Sequence, residues 1–393
     1  MNSGFSLLRF LLYTAIVVVV LVVAGAIFYF TIGKPHHSAP TREPVAITPS
    51  GDKVVDAVNR GIEFLKVYQE EDGHFSAGVL DPKPAVTAMV VEAILNSPAH
   101  PKIEDNPYLQ KAIAAILATQ QPDGGFYTPR IGLGNYCTCV TIMALAAAGK
   151  EKYASQIKKA AEYLTGIQHN TPEDPKSDGG FGYFVKSRPD LSNTTMAIEA
   201  LREAGLPPDA PALQAALKFV TRCQNWTESN TLEMVLNDGG FIYRPGDSKA
   251  GEATDATGKK GFKSYGLMSY AGLLSLAYTN VGKEDPRVKA VTKWISENYT
   301  VQESKNLGDA GLYYYFRMMA KSLKAAELHD ITTATGNRIW AVELSDRLIS
   351  LQNPKGGWVN TNAEWMESDT VLVTAYSVRT LEFCLDMMGL HTK

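Results

Sequence analysis

The chain has 393 residues, 45% of them hydrophobic and 20% charged, with a formal net charge of −3. That is enough apolar material for a large buried core, and the charge balance leaves no cationic surface on which a nucleic-acid backbone would release counterions, which excludes nucleic acid as a main partner. The four cysteines (Cys137, Cys139, Cys223, Cys384) are irregularly spaced and the seven histidines form no cluster, so neither a disulfide framework nor a metal site is expected, and no cofactor is implied.

After a short tail at residues 1–9, residues 10–32 carry no charge and end in Phe28-Tyr29-Phe30. At about 1.5 Å rise per residue such a run crosses a hydrocarbon core of about 30 Å, with the aromatics at the interface. We read residues 10–33 as a single transmembrane helix of the signal-anchor type. The competing reading is a cleaved signal peptide with Ala24-Gly25-Ala26 as its cleavage site, but the apolar run continues through that site. A short tail before a large domain places that domain outside the cytoplasm. Residues 34–51, with Pro35, Pro40, Pro44 and Pro49, form an extended tether.

From residue 52 to 390 one unit repeats six times: an amphipathic helix, a tight corner, and a more apolar helix. In the first copy Val54, Val58, Ile62 and Leu65 make one stripe, while Asp56, Arg60, Glu63 and Lys66 lie opposite, the pattern of an outer, half-wet helix. The mixed pattern recurs at residues 108–120, 156–168, 213–224, 287–299 and 340–352. Residues 137–148, 270–278 and 371–385 are apolar or small almost all round and belong to an inner ring. Double glycines at 124/125, 179/180, 239/240 and 356/357 supply the backbone freedom of a tight reversal. Three copies keep the same spacing from a glutamine to an aromatic residue: Gln69 to Phe75, Gln120 to Phe126 and Gln352 to Trp358. The repeat predicts an all-α toroid of six helical hairpins. Two departures stand out. The fifth corner, Leu307-Gly308-Asp309-Ala310-Gly311, is degenerate and leads into Tyr313-Tyr314-Tyr315-Phe316. The fourth carries an insertion at residues 245–262, which is either surface drift or a functional loop.

On Gln69…Phe75, Gln120-Gln121-Pro122-Asp123-Gly124-Gly125-Phe126, Ser177-Asp178-Gly179-Gly180-Phe181, Asn237-Asp238-Gly239-Gly240-Phe241 and Gln352…Gly356-Gly357-Trp358, the chain resembles the prenyltransferase and squalene-oxidase repeat superfamily, which includes squalene-hopene cyclases and protein prenyltransferase β subunits. The resemblance implies an α6/α6 toroid whose inner-helix N-termini open on a cavity for an isoprenoid. The family's chemistry does not carry over. Its cyclases protonate substrate with the middle Asp of a D-x-D-D-T stretch, and in Met366-Glu367-Ser368-Asp369-Thr370 that position is Ser368, whose hydroxyl cannot protonate an alkene. The prenyltransferase zinc site needs an Asp-x-Cys pair that this chain lacks.

Asp369 and Glu367 are the candidate catalytic carboxylates, although Asp369 also suits an N-cap. Tyr136, Asn193, Tyr265, Tyr270, Tyr313, Tyr314 and Trp365 are the candidate lining of the cavity, where ring quadrupoles would stabilise a cation by about 0.5 to 2 kcal/mol each; buried-helix filler is the plainer role for any one tyrosine. Lys259, Lys260 and Lys263 would meet a diphosphate or simply water. The leading expectation is a membrane-anchored terpenoid cyclase- or prenyltransferase-like toroid acting on or binding an isoprenoid or related lipid. The alternatives are a non-catalytic toroid that binds lipid, peptide or a partner protein at the membrane surface, and a toroid glycan hydrolase or lyase, which needs two opposed carboxylates about 5 to 9.5 Å apart.

Overall fold

The computed structural model describes residues 53–77 and 83–390, and among these twelve α-helices follow one another. They are α1 (Lys53–Lys66), α2 (Lys83–Leu95), α3 (Pro107–Leu117), α4 (Gly134–Gly149), α5 (Ala154–Ile167), α6 (Leu191–Glu203), α7 (Pro211–Arg222), α8 (Gly266–Tyr278), α9 (Pro286–Asn298), α10 (Leu312–Ala325), α11 (Trp340–Leu351) and α12 (Thr370–Met387). The expected transmembrane helix at residues 10–33 and the tether at 34–51 lie outside the described residues. Among the described residues no helix is long and apolar enough to cross a membrane.

The even-numbered helices form the inner ring: each of α2, α4, α6, α8, α10 and α12 packs on the next, and α12 returns to α2. The odd-numbered helices lie outside, α3 against α2, α5 against α4, α7 against α6 and α9 against α8, while α11 and α1 both lean on α12. The sequence patterns explain the assignment. In α1, Val54, Ala57, Val58, Ile62 and Leu65 are buried while Asp56 and Arg60 stay wetter. In α8 every residue from 266 to 276 is buried, as a helix with protein on all sides requires. Proline in the first turn of α3, α7 and α9 takes a position where the missing N–H costs nothing.

The corners fasten the ring. The Nε2 of Gln69 donates to the carbonyl of Gly73 within its own corner (3.1 Å) and to that of Tyr108 at the start of α3 (2.8 Å). Gln168 joins Gly179 to Ala212 of α7, and Gln224 joins Gly239 to Arg287 of α9. Gln120 reaches Gly124 and Gln156 of α5. Gln352 donates to Gly356 (2.8 Å) and to Ala57 of α1 (2.9 Å), which closes the ring between last repeat and first. The amide thus ties successive repeats together rather than only covering its own helix end. Glycine is required at the corner for two reasons, seen at Gly124 and Gly356: φ is +94° and +95°, and a Cβ would stand 2.5 and 2.6 Å from the carbonyl oxygens of Lys159 and Arg60 in the neighbouring outer helix.

A second set of bonds was not foreseen. The backbone N–H of each corner aromatic donates to a hydroxyl in the opening turns of its inner helix: Phe75 to Thr87, Phe126 to Thr138, Phe181 to Thr194, Phe241 to Ser269 and Trp358 to Thr374, at 2.9 to 3.1 Å. The fifth corner has neither device. There Tyr299 donates to Glu343 Oε2 and Tyr315 to the carbonyl of Thr300. Two short hairpins interrupt the helical pattern: β1 (Glu252–Thr254) with β2 (Lys260–Phe262) in the insertion, and β3 (Ile331–Thr333) with β4 (Gly336–Arg338) before α11. The β1–β2 turn is stabilised by Asp255, whose Oδ1 accepts from Thr257 N and Lys259 N.

Gln352→Ala should destabilise the fold by about 1 to 3 kcal/mol, the cost of stranding two carbonyls, as measured by chemical denaturation, whereas alanine at the exposed Gln302 should be neutral within about 0.5 kcal/mol.

Candidate functional site

Because every corner joins the end of an outer helix to the start of an inner one, all inner-helix N-termini open on one face. There the lumen holds a cavity of about 450 Å³, within the roughly 300 to 1,000 Å³ usual for small-molecule sites. Six tyrosines line it: Tyr136 of α4, Tyr183 and Tyr243 of the third and fourth corners, Tyr265 before α8, Tyr314 of α10 and Tyr376 of α12. Val86, Leu133, Leu267, Met268 and Leu372 fill the apolar wall between them, Ser192 and Asn193 add polar atoms from α6, and Lys249 enters from the insertion. None of the described residues lining it is an Asp or a Glu.

Three of the six phenol hydroxyls are paired within the cavity. Tyr136 and Tyr376 share a hydrogen bond of 3.2 Å, and Ser192 and Tyr314 one of 2.9 Å. The Tyr314 and Tyr376 rings lie 5.7 Å apart at 32°. Burial pushes the Tyr376 phenol up to about 12 and those of Tyr136, Tyr265 and Tyr314 upward as well, so all stay neutral at physiological pH.

One to two turns further along the inner helices the lumen is closed by charge. Glu92 of α2 sits between Arg317 of α10 (3.4 Å) and Arg379 of α12 (3.2 Å), Arg379 also pairs with Glu382, and Lys321 pairs with Glu199 of α6. Three cations therefore meet three carboxylates, all buried or nearly so. Burial alone would raise the Glu92 carboxyl, but Arg379 and Arg317 outweigh it and hold it at about 2. The Arg317 guanidinium lies 5.7 Å from the Tyr376 ring centre, so the ionic layer is the floor of the tyrosine cavity.

Of the residues anticipated for the site, Tyr136, Asn193, Tyr265, Tyr314 and Trp365 line this cavity. Tyr270 and Tyr313 do not: Tyr270 packs edge-on against Tyr315, and the Tyr313 hydroxyl reaches the carbonyl of Val359. On successive positions of one helix only some of the 313–316 aromatics can face inward, and Tyr314 is the one that does. Both candidate carboxylates are occupied with helix ends. Glu367 accepts from the backbone N–H of Tyr313 (3.2 Å) and Tyr314 (2.7 Å) and from Asn360 Nδ2 (2.8 Å), which caps α10. Asp369 Oδ1 accepts from Val371 and Leu372 and caps α12. Burial raises both carboxyls. Lys259, Lys260 and Lys263 are not among the lining residues; Lys249 from the same insertion is.

Asp190 escaped the sequence reading. It caps α6, is 1% exposed, and accepts from Asn193 N and Nδ2, both at 2.9 Å. Burial pushes its carboxyl up to about 6, against the opposing bonds from Asn193 and Tyr243 and the charge of Arg244. Two signals were available. Asp190-Leu191-Ser192-Asn193-Thr194 keeps the first Asp and the Thr of the D-x-D-D-T frame, with Ser192, a cavity residue, in the place of the proton donor and Asn193 in that of the next Asp. Tyr183 and Tyr243 each stand two residues after a corner phenylalanine, Phe181 and Phe241. At the mouth, Trp365 and Met366 hold φ of +54° and +66°, a strain of roughly 1 to 3 kcal/mol each for non-glycine residues. The Trp365 ring lies over Gly311, where a Cβ would come within 2.3 Å of it.

A family model described as the squalene-hopene cyclase C-terminal domain matches residues 76–193. A squalene–hopene cyclase of Bradyrhizobium diazoefficiens is 28% identical over 201 residues, which cover 43% of this chain and 29% of that protein, so the match spans less than a third of the relative's length. Among solved structures, a protein from Actinoplanes superposes with a TM-score of 0.54 at 14% identity, over 85% of this chain and 99% of that one. Protein geranylgeranyltransferase-I of Candida albicans, complexed with GGPP, gives 0.52 at 15% identity (84% and 91% covered), and an α-1,6-mannanase of Salegentibacter sp. HEL1_6 gives 0.54 at 9% (85% and 99%). At these identities the likeness establishes the fold, a terpenoid cyclase- and prenyltransferase-like α-α toroid, and toroids of this shape serve more than one chemistry.

Glu92→Ala leaves Arg317 and Arg379 without their shared partner and should cost about 3 to 5 kcal/mol in denaturant titration. Asp190 gives a pH signature. Its folded pKa is raised, so its contribution is fully present below the ordinary aspartate value and is lost as pH rises through about 6. Relative to wild type, Asp190→Asn should lose about 3 kcal/mol less stability between pH 3.5 and 7, at roughly 1.4 kcal/mol per unit.

Proposed function

We propose that this chain binds an isoprenoid or a related lipid in the tyrosine-walled cavity, and that residues 10–33 hold it at a membrane with the toroid outside the cytoplasm. One observation carries the reading: the cavity is walled by six neutral tyrosines and aliphatic side chains, and three of the six phenol hydroxyls are already paired, Tyr136 with Tyr376 and Tyr314 with Ser192. A hydrocarbon chain entering it strands few polar groups and meets ring faces along its length. The family match and the toroid fold favour the same ligand class.

The reading is one of lipid binding rather than acid-started cyclisation. The proton-donor position of the D-x-D-D-T frame is serine in both stretches that match it in part, Ser192 and Ser368, and the nearby carboxylates Glu367 and Asp369 serve as caps. A glycan-cleaving reading lacks its pair of opposed carboxylates among the lining residues.

The full chain purified from membranes should carry a polyprenyl or sterol-like lipid, seen by mass spectrometry of the organic extract. Met268→Trp fills the cavity from α8 and should remove that lipid while circular dichroism stays unchanged. Lipid-free wild-type protein, or equal lipid in both forms, would refute the proposal.

A further inference from the structure

The large apolar side chains left exposed among the described residues gather on the face where the cavity opens. Six of the ten stand in the segments that lead from a corner into an inner helix: Ile131 before α4, Tyr183, Phe184 and Val185 before α6, and Val359 and Trp365 before α12. All the exposed aromatics are in this group. The segments surround one opening, since Tyr183 and Trp365 line the same cavity and Asn135 N donates to the Tyr183 carbonyl at 3.0 Å. Phe184 and Val185, 52% and 49% exposed, stand on a closed turn in which Ser187 N donates to the Phe184 carbonyl and Ser187 Oγ accepts from Phe184 N, both at 2.9 Å. A concentration of this kind marks an interaction surface, whereas single exposed residues such as Ile339 and Leu390 elsewhere need no explanation.

The rim around this cluster carries charge of one sign. Residues 127–133 and 182–189 contain Arg130, Lys186 and Arg188 and no Asp or Glu, and Lys249 adds a cation at the cavity wall. All four are exposed, and among the described residues none of them is in an ion pair. The opposite face mixes signs, with Glu151, Lys152, Asp209, Lys283 and Glu284 exposed there. We infer that the mouth face docks on an anionic lipid bilayer, with Phe184 and Val185 entering the headgroup layer and the basic rim meeting lipid phosphates, so that the ligand passes from bilayer to cavity without crossing water; for what enters, this rests on the lipid reading above. Aromatic and aliphatic side chains flanked by cations are what such an interface selects. A second copy of the chain fits less well, because a two-fold contact through this face sets each cluster of cations against its own like. The tether does not oppose the orientation. Helix α1 begins on the face away from the mouth, and the 18 residues 34–51 reach at most about 60 Å, against roughly 27 Å for the length of α12.

The four native cysteines are buried, so a polarity-sensitive fluorophore can be attached selectively to Phe184→Cys at the mouth or to Asp209→Cys on the opposite face. Each labelled full chain is reconstituted into vesicles of phosphatidylcholine alone or mixed with phosphatidylglycerol, with spin labels on the lipid acyl chains as quenchers. In the mixed vesicles the probe at 184 should shift to shorter wavelength and be quenched, the probe at 209 should do neither, and phosphatidylcholine alone or high salt should weaken the effect. Lys186→Glu with Arg188→Glu should lower the ratio of docked to undocked chain at least about tenfold with circular dichroism unchanged; Lys186→Gln with Arg188→Gln, a milder pair, should move it the same way by less. No quenching at 184, equal quenching at 184 and 209, quenching that survives both pairs of substitutions, or a shift at 184 that follows protein concentration instead of lipid would each overturn the docking. Each would leave the lipid reading standing, because the content of the cavity is measured separately by mass spectrometry; docking with an empty cavity would remove that reading and keep this one.

Discussion

The fold depends on one repeated hydrogen-bonding unit, a glutamine amide with its two N–H groups shared between its own corner and the N-terminal part of the next outer helix. Each isolated helix pair buries only one face and cannot stand alone. The amide converts a string of such pairs into a fixed curvature, since both carbonyl partners must lie within one side chain's reach. The bond from Gln352 to Ala57 applies the same geometry between the ends of the chain, so ring closure uses no contact that the other corners lack. The glycine beside it makes the close approach possible, because the neighbouring outer helix presents a carbonyl where a Cβ would sit.

A closed ring of twelve helices encloses a lumen, and this one is filled in two different ways. The inner half is occupied by a buried layer of three cationic and three acidic side chains, of which Glu382 is pushed up to about 8 by burial. The outer half is left to tyrosines. The boundary between them is Tyr376, which hydrogen-bonds Tyr136 across the cavity floor and lies against Arg317 of the ionic layer. The depth available to a ligand is therefore set by electrostatics below and by aromatic packing at the walls.

The fifth repeat, where the glutamine and the double glycine are missing, is where the ring departs from its rule. Glu367 takes over by capping α10 from the sixth corner, and Gly311 at φ +65° makes room for the Trp365 ring. The consecutive positive-φ residues Trp365 and Met366 are thus held in place by neighbouring repeats, and both border the cavity.

The repeat was legible in the sequence because its causes are local. A glutamine six residues before an aromatic, a glycine free to take positive φ, and a 3.6-residue stripe that switches from half-wet to fully apolar are properties of short segments. They determined the all-α toroid, the assignment of outer and inner helices, and the irregularity of the fifth corner. They did not reveal the hydroxyls that receive each corner's N–H, nor which tyrosines share a cavity. Tyr313, Tyr314 and Tyr315 are equivalent in sequence, yet each successive residue turns about 100° around the helix, and only the packing of α10 between α8 and α12 aims Tyr314 inward. Tyr183 and Tyr243 come from the third and fourth corners and share one cavity wall only because the two repeats pack side by side, so that arrangement belongs to the tertiary structure alone.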